Sequence, residues 1–133
     1  MAGRLEFFNP ADLHEPTGPY SHVARIPAGA EVFFVSGQFG IRPDGSIPTH
    51  VGEQTDQAFK NLRLALKSQD LDLEHIVKLT TFIVVGQDSR EVRKARIKHM
   101  GTHHPASTAV YVARLVSPEW LVVVDAIAAR VPT

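Results

Sequence analysis

The stretch His103-His104-Pro105-Ala106-Ser107-Thr108 sets two imidazoles and two hydroxyls directly before an apolar run, Ala109 to Val112. Those residue types offer two chemistries. His99 lies four residues before His103, a spacing that lets two imidazoles on one helix hold zinc. Gly101 falls between them, however, no HExxH pattern is present and no third ligand is evident. The bland alternative is a solvated cluster at a helix C-terminus, where histidine complements the helix dipole, and it fits better. Ser107 is also a formal candidate for a nucleophile activated by a neighbouring histidine. There is no GxSxG elbow, and triads are assembled by geometry rather than by adjacency. Neither idea is carried forward, and no metal or cofactor is expected.

Two extended segments carry further candidates. In Ser107–Arg114 the pleat puts Ser107, Ala109 and Tyr111 on one face and Thr108, Val110, Val112 and Arg114 on the other. In Leu121–Arg130, Asp125 shares a face with Val123 and Ile127. An acid within an apolar strand needs a partner or a reason. A structural Asp bonded to backbone and a functional acid lining a pocket are both open readings. The segment Arg90–His99 holds five Lys/Arg and raises nucleic-acid binding. Glu91 interrupts it and no aromatic platform accompanies it, so a solvated helix face is the better reading.

The elements that must position these groups follow from period and punctuation. Residues 9–19 hold three prolines and a glycine and read as loop. Tyr20–Ile26 alternates and Val32–Gly37 is β-branched and aromatic, so both read as strands. Pro43-Asp44-Gly45 is a turn. From Val51, apolar or small residues recur at Thr55, Ala58, Phe59, Leu62, Ala65 and Leu66, which predicts a helix over 51–68 with one buried stripe. Gln54, Gln57, Lys60, Asn61, Arg63 and Lys67 fall on or toward its other side. Ile76–Val85 reads as a long strand. Asp88 or Ser89 caps a second helix that ends near Gly101. Strands over 108–116 and 120–131 complete an α+β two-layer domain, a mixed sheet with two helices on one face.

Composition bounds the function. The chain has 133 residues and fits a single domain over 1–133. Fourteen Lys+Arg balance fourteen Asp+Glu, so no global field favours nucleic acid or an anionic membrane. There is no cysteine, which removes disulfides, thiolate metal sites and a Cys nucleophile together. No apolar run is long enough to span a bilayer and no secretion signal opens the chain, so a cytoplasmic protein is expected.

Several strings gain meaning in their order: TGPYSHV, FFVSGQFG, QTDQAFKNLRLAL, LEHIVKLTTFIV and HPASTAVYVARLVSPEWLVVVDAIA. Together, from about Gly18 to Arg130, they resemble the RidA/YjgF family of reactive intermediate (enamine/imine) deaminases. The resemblance implies a chorismate-mutase-like fold and a homotrimer with an inner β-barrel and a small-molecule cleft between each pair of subunits. It implies hydrolysis of 2-imino or 2-enamino acids to 2-keto acids and ammonia, without metal or cofactor. Tyr20 matches the family's cleft tyrosine, and Gly37 the glycine whose backbone meets ligand. Backbone groups near Ser107 and Ala109 complete the implied substrate site.

Two departures follow from the same match. The arginine that in family deaminases follows Pro-Ala and clamps the substrate carboxylate is replaced by Ser107. The glutamate of the last strand, thought to position the attacking water, is replaced by Val123. Ser107 and Asp125 are then the remaining catalytic candidates. The resemblance with these departures implies a cleft whose substrate lacks the usual carboxylate and which turns over ordinary 2-imino acids weakly or not at all. The alternative is a non-catalytic metabolite-binding or regulatory trimer, with RNA cleavage or translation inhibition behind both.

Overall fold

The computed structural model describes residues 3–133. In chain order the elements are β1 (Glu6–Phe8), β2 (Val23–Arg25), β3 (Glu31–Phe39), α1 (Val51–Lys67), β4 (Ile76–Val84), α2 (Ser89–Met100), β5 (Ala106–Val112) and β6 (Val122–Arg130). A single 3₁₀ turn, Leu73–His75, leads into β4. The α+β expectation therefore holds, with one change at the start of the chain. The predicted strand over 20–26 shrinks to β2, which pairs with β1 in a separate ribbon rather than entering the main sheet. β1 has only three residues, too few for alternation to reveal it.

The main sheet has the order β3-β6-β4-β5. β6 runs antiparallel to both of its neighbours, and β4 and β5 are parallel. A parallel pair cannot be joined by a tight turn, and α2 is the crossover between them.

α1 forms because its stripe can be buried. Ala58, Phe59, Leu62 and Leu66 face inward on Leu79 of β4 and Val124, Ala126 and Ala128 of β6, while Val51 packs with Ile83 of β4 and Val122 of β6, and Thr55 is buried as well. Glu53 in its first turn and Lys67 in its last complement the dipole. Gln54 departs from the expectation that it lies on the polar side: it is 1% exposed. Its Nε2 donates to the carbonyls of Pro48 and Glu119 (2.8 and 2.9 Å), and its Oε1 accepts from the Leu121 amide (2.9 Å). Gln54 thus ties α1 to the two loops it packs against. Gly40 makes this possible, since a Cβ there would sit 2.6 Å from the Gln54 Cα.

Among the described residues the opposite face of the sheet carries no helix. Phe34 is 80% exposed there, and Val32 and Val110 are also exposed.

Candidate functional site

The site is built at the β5 edge of the sheet. Ser21 bridges to the start of β5: its amide donates to the Pro105 carbonyl (3.1 Å) and its hydroxyl donates to the His104 carbonyl. That pins the loop 17–20 beside Ser107. Together with α2 on its other wall, the loop closes a cleft of about 580 Å³ lined by Tyr20, Thr81, Arg93, Arg96, Ser107 and Ala109, among others.

The strand parity read from the sequence holds. Ser107 lies opposite Leu79 and Thr108 opposite Thr80. Lys78 Nζ reaches Thr108 Oγ1 on the open face (2.9 Å), whereas Ser107 turns toward α2. The partner of Ser107 is Arg96, whose Nη1 donates to Ser107 Oγ at 2.8 Å and whose Nη2 donates to the Pro19 carbonyl at 2.6 Å. Arg96 is 9% exposed, and its Nε is buried with no hydrogen-bond partner. Burial, and then the charge of Arg93 nearby, pull its guanidinium down to about 10, still charged at neutral pH. Arg93 lies over Gly18, where a Cβ would come 3.0 Å from its Nη2. Among the described residues the cleft lining contains no Asp or Glu.

Tyr20 has its phenol oxygen 3.3 Å from Thr17 Oγ1 and accepts from the Thr17 amide at 3.3 Å. These bonds, the side-chain one foremost, lower the phenol below its usual range.

Of the residues singled out from the sequence, Tyr20, Ser107 and Ala109 therefore meet in one cleft. Gly37 and Asp125 do not join them within the chain. Asp125 lies in register with Thr80, and Thr80 with Thr108, so Asp125 is two strands from β5, about 9–10 Å. It alternates with the core-facing Val124 and Ala126 and so belongs to the open face. Gly37 sits in the β3 bulge between Val35 and Gln38, at the far edge of the sheet. A Cβ on Gly37 would meet Val123 Cγ2 at 2.7 Å, and Val123 is buried. The three histidines go separate ways. His99 Nε2 pairs with Asp56 (2.7 Å) and His103 Nε2 with the Ile76 carbonyl (2.8 Å), while the His104 carbonyl accepts from Ser21. Among the described residues no group of three or more metal-capable side chains converges.

Arg96 is the residue that sequence reasoning missed, and it corrects two expectations. The α2 face is not wholly solvated, and a cleft with serine at position 107 has not lost its guanidinium. A signal existed: Arg96 falls in the inward register of Val92, Ala95 and Met100. The density of charge around it concealed that spacing.

Residues 12–130 match the protein family described as Endoribonuclease L-PSP. The chain belongs to this family. Its curated relatives include the mouse 2-iminobutanoate/2-iminopropanoate deaminase, 31% identical over 100 residues, 74% of this chain and 72% of that one. A RutC family protein of Pyrococcus abyssi is 28% identical over 76% of this chain and 79% of its own. Among solved structures, a Rid-family protein of unknown function from Yersinia pestis superposes with a TM-score of 0.84 at 20% identity, covering 95% of this chain and 98% of its own. E. coli TdcF, solved with bound serine, superposes at 0.70 and 26% identity over 94% and 98%. The chain is thus a RidA/YjgF family member with the two-helix, mixed-sheet fold of those structures.

Proposed function

We propose that this RidA-family chain is a cofactor-independent hydrolase of a small imine, enamine or related reactive metabolite, working in the Ser107 cleft. Ordinary 2-imino acids are poor substrates. The observation that carries the reading is the cleft lining itself: a phenol, a hydroxyl and a guanidinium converge, with no carboxylate to position or deprotonate water. General-base assistance supplies roughly 10²–10⁴-fold in such reactions, and the position where relatives would place that acid holds the buried Val123. The kinship to 2-iminopropanoate deaminases supports the reaction class, and a relative solved with serine supports a small polar ligand. We place the complete clefts between subunits of a homotrimer, where Gly37 of one subunit approaches the Ser107 edge of the next. Generating 2-iminopropanoate in situ with an amino-acid oxidase and following its loss to semicarbazide tests the reading. Acceleration close to background is expected; a rate equal to that of an arginine-bearing relative would sink it.

The missing acid also supports a second reading, binding without turnover. RNA chemistry finds less support. In α2, Arg96 turns inward, Arg90 is paired with Asp88 and Lys98 with Asp56. No described helix is long and apolar enough to cross a membrane.

A further inference from the structure

Arg96 is a cation without a counter-charge. Only two of its five N–H donors are used, both by neutral oxygens, and among the described residues it makes no ion pair. Burying a guanidinium on those terms is costly. Arg93 adds a second positive charge beside it, and the cleft lining offers no acid to either.

The partner chosen for Arg96 is informative as well. Ser107 Oγ accepts from Nη1, so its own hydrogen is free to donate into the cleft. A planar guanidinium fork with a hydroxyl donor beside it suits a planar two-oxygen anion.

We propose that Arg96 is the anion-holding group of this cleft, and that a small monocarboxylate docks on its guanidinium with the Ser107 hydroxyl as an added donor. The charge that relatives carry on β5 is here delivered from α2. The expectation of a carboxylate-free substrate is thereby reversed. The proposal rests on reading this cleft as a ligand site, but not on turnover.

Isothermal titration with pyruvate, and with its neutral amide pyruvamide, tests it on the unmodified chain. Pyruvate should bind at least roughly tenfold more tightly, as loss of a charged hydrogen-bond partner predicts. Arg96→Gln should weaken pyruvate roughly ten- to a hundredfold and erase the preference. Adding Ser107→Arg to that variant should restore it, because the guanidinium returns to the same place from the other wall. If Arg96→Gln does not fold, Arg96→Lys keeps the charge without the fork, and an intermediate preference is expected.

Equal binding of pyruvate and pyruvamide, or no binding of pyruvate, would overturn the proposal. So would an Arg96→Gln protein that melts earlier yet keeps the preference, since Arg96 would then be only a pin for the loop at Pro19. Inorganic phosphate binding more tightly than pyruvate would overturn the assignment to a carboxylate. Failure of imine hydrolysis with the pyruvate preference intact would sink the hydrolase reading and leave this one standing.

Discussion

Asp72 shows how a single side chain can tie several segments together. It caps the 3₁₀ turn through the Leu73 amide (2.7 Å), accepts from Arg63 (3.1 Å) and pairs with Lys67 (2.9 Å). Burial pushes its carboxyl up, but Lys67, the Leu73 amide and Arg63 together outweigh that and hold it at about 2, below its unfolded 3.8. A depressed carboxyl stabilises the fold above its unfolded pKa, and the contribution fades as pH falls through the folded one. Asp72→Ala should therefore cost about 1–2 kcal/mol near neutral pH. In urea unfolding series the gap to the parent chain should narrow below pH 3.8. A gap independent of pH would show that the charge of Asp72 contributes nothing. At this scale the sequence was legible for Ser107, Tyr20 and Ala109, whose faces follow from strand parity and motif. It was not legible for Arg96, because whether a helical arginine is solvated depends on how deeply the helix sits against β5 and the loop 17–20. No local spacing encodes that depth.

At the scale of elements, periodicity placed both helices and the four strands of the main sheet to within a few residues. What it misjudged was polarity that is buried on purpose. Gln54 is polar and was assigned outward, yet its three hydrogen bonds hold α1 against the Pro48 and Glu119–Leu121 loops. Replacing it by Leu keeps the volume but takes the partner from the buried Pro48 carbonyl and from the half-buried Glu119 carbonyl and Leu121 amide, at about 1–3 kcal/mol for each group that water cannot reach. Gln54→Leu should destabilise by about 2–4 kcal/mol overall, read as an unfolding midpoint in urea. A neutral effect would mean that water enters and satisfies all three. Gln54→Glu should be destabilising too, because the Pro48 and Glu119 carbonyls then face an acceptor. The short β1–β2 ribbon marks the other limit of legibility: three-residue strands are set by tertiary pairing, not by pattern.

For the whole molecule, the uncovered face of the sheet is the dominant fact. Phe34, Val32 and Val110 stand exposed on it, and no helix among the described residues covers them. Exposed apolar patches of this kind mark association sites, and the trimer proposed above would bury this one. Sedimentation equilibrium should give three times the chain mass, and Phe34→Glu should shift the chain toward monomer while leaving far-ultraviolet circular dichroism intact. A monomeric parent chain at micromolar concentration would refute the assembly. Such a result would also leave Gly37 with no route to the Ser107 cleft.

The order of the sheet has a consequence for how the molecule is made. β6 is the last of the described strands in chain order, yet it lies inside the sheet and is the only described strand hydrogen-bonded to β3. β3 pairs with residues about ninety positions further along, Glu31 with Arg130 at the extreme. Until β6 is in place, α1 has only part of its floor, Phe33 and Val35 of β3 and Leu79 of β4, and the sheet cannot close between β3 and β4. The main sheet therefore cannot be completed before β6 is made, and long-range pairings of this kind are slow to form. The interval before β6 arrives leaves the edges of β3 and β4 open to aggregation.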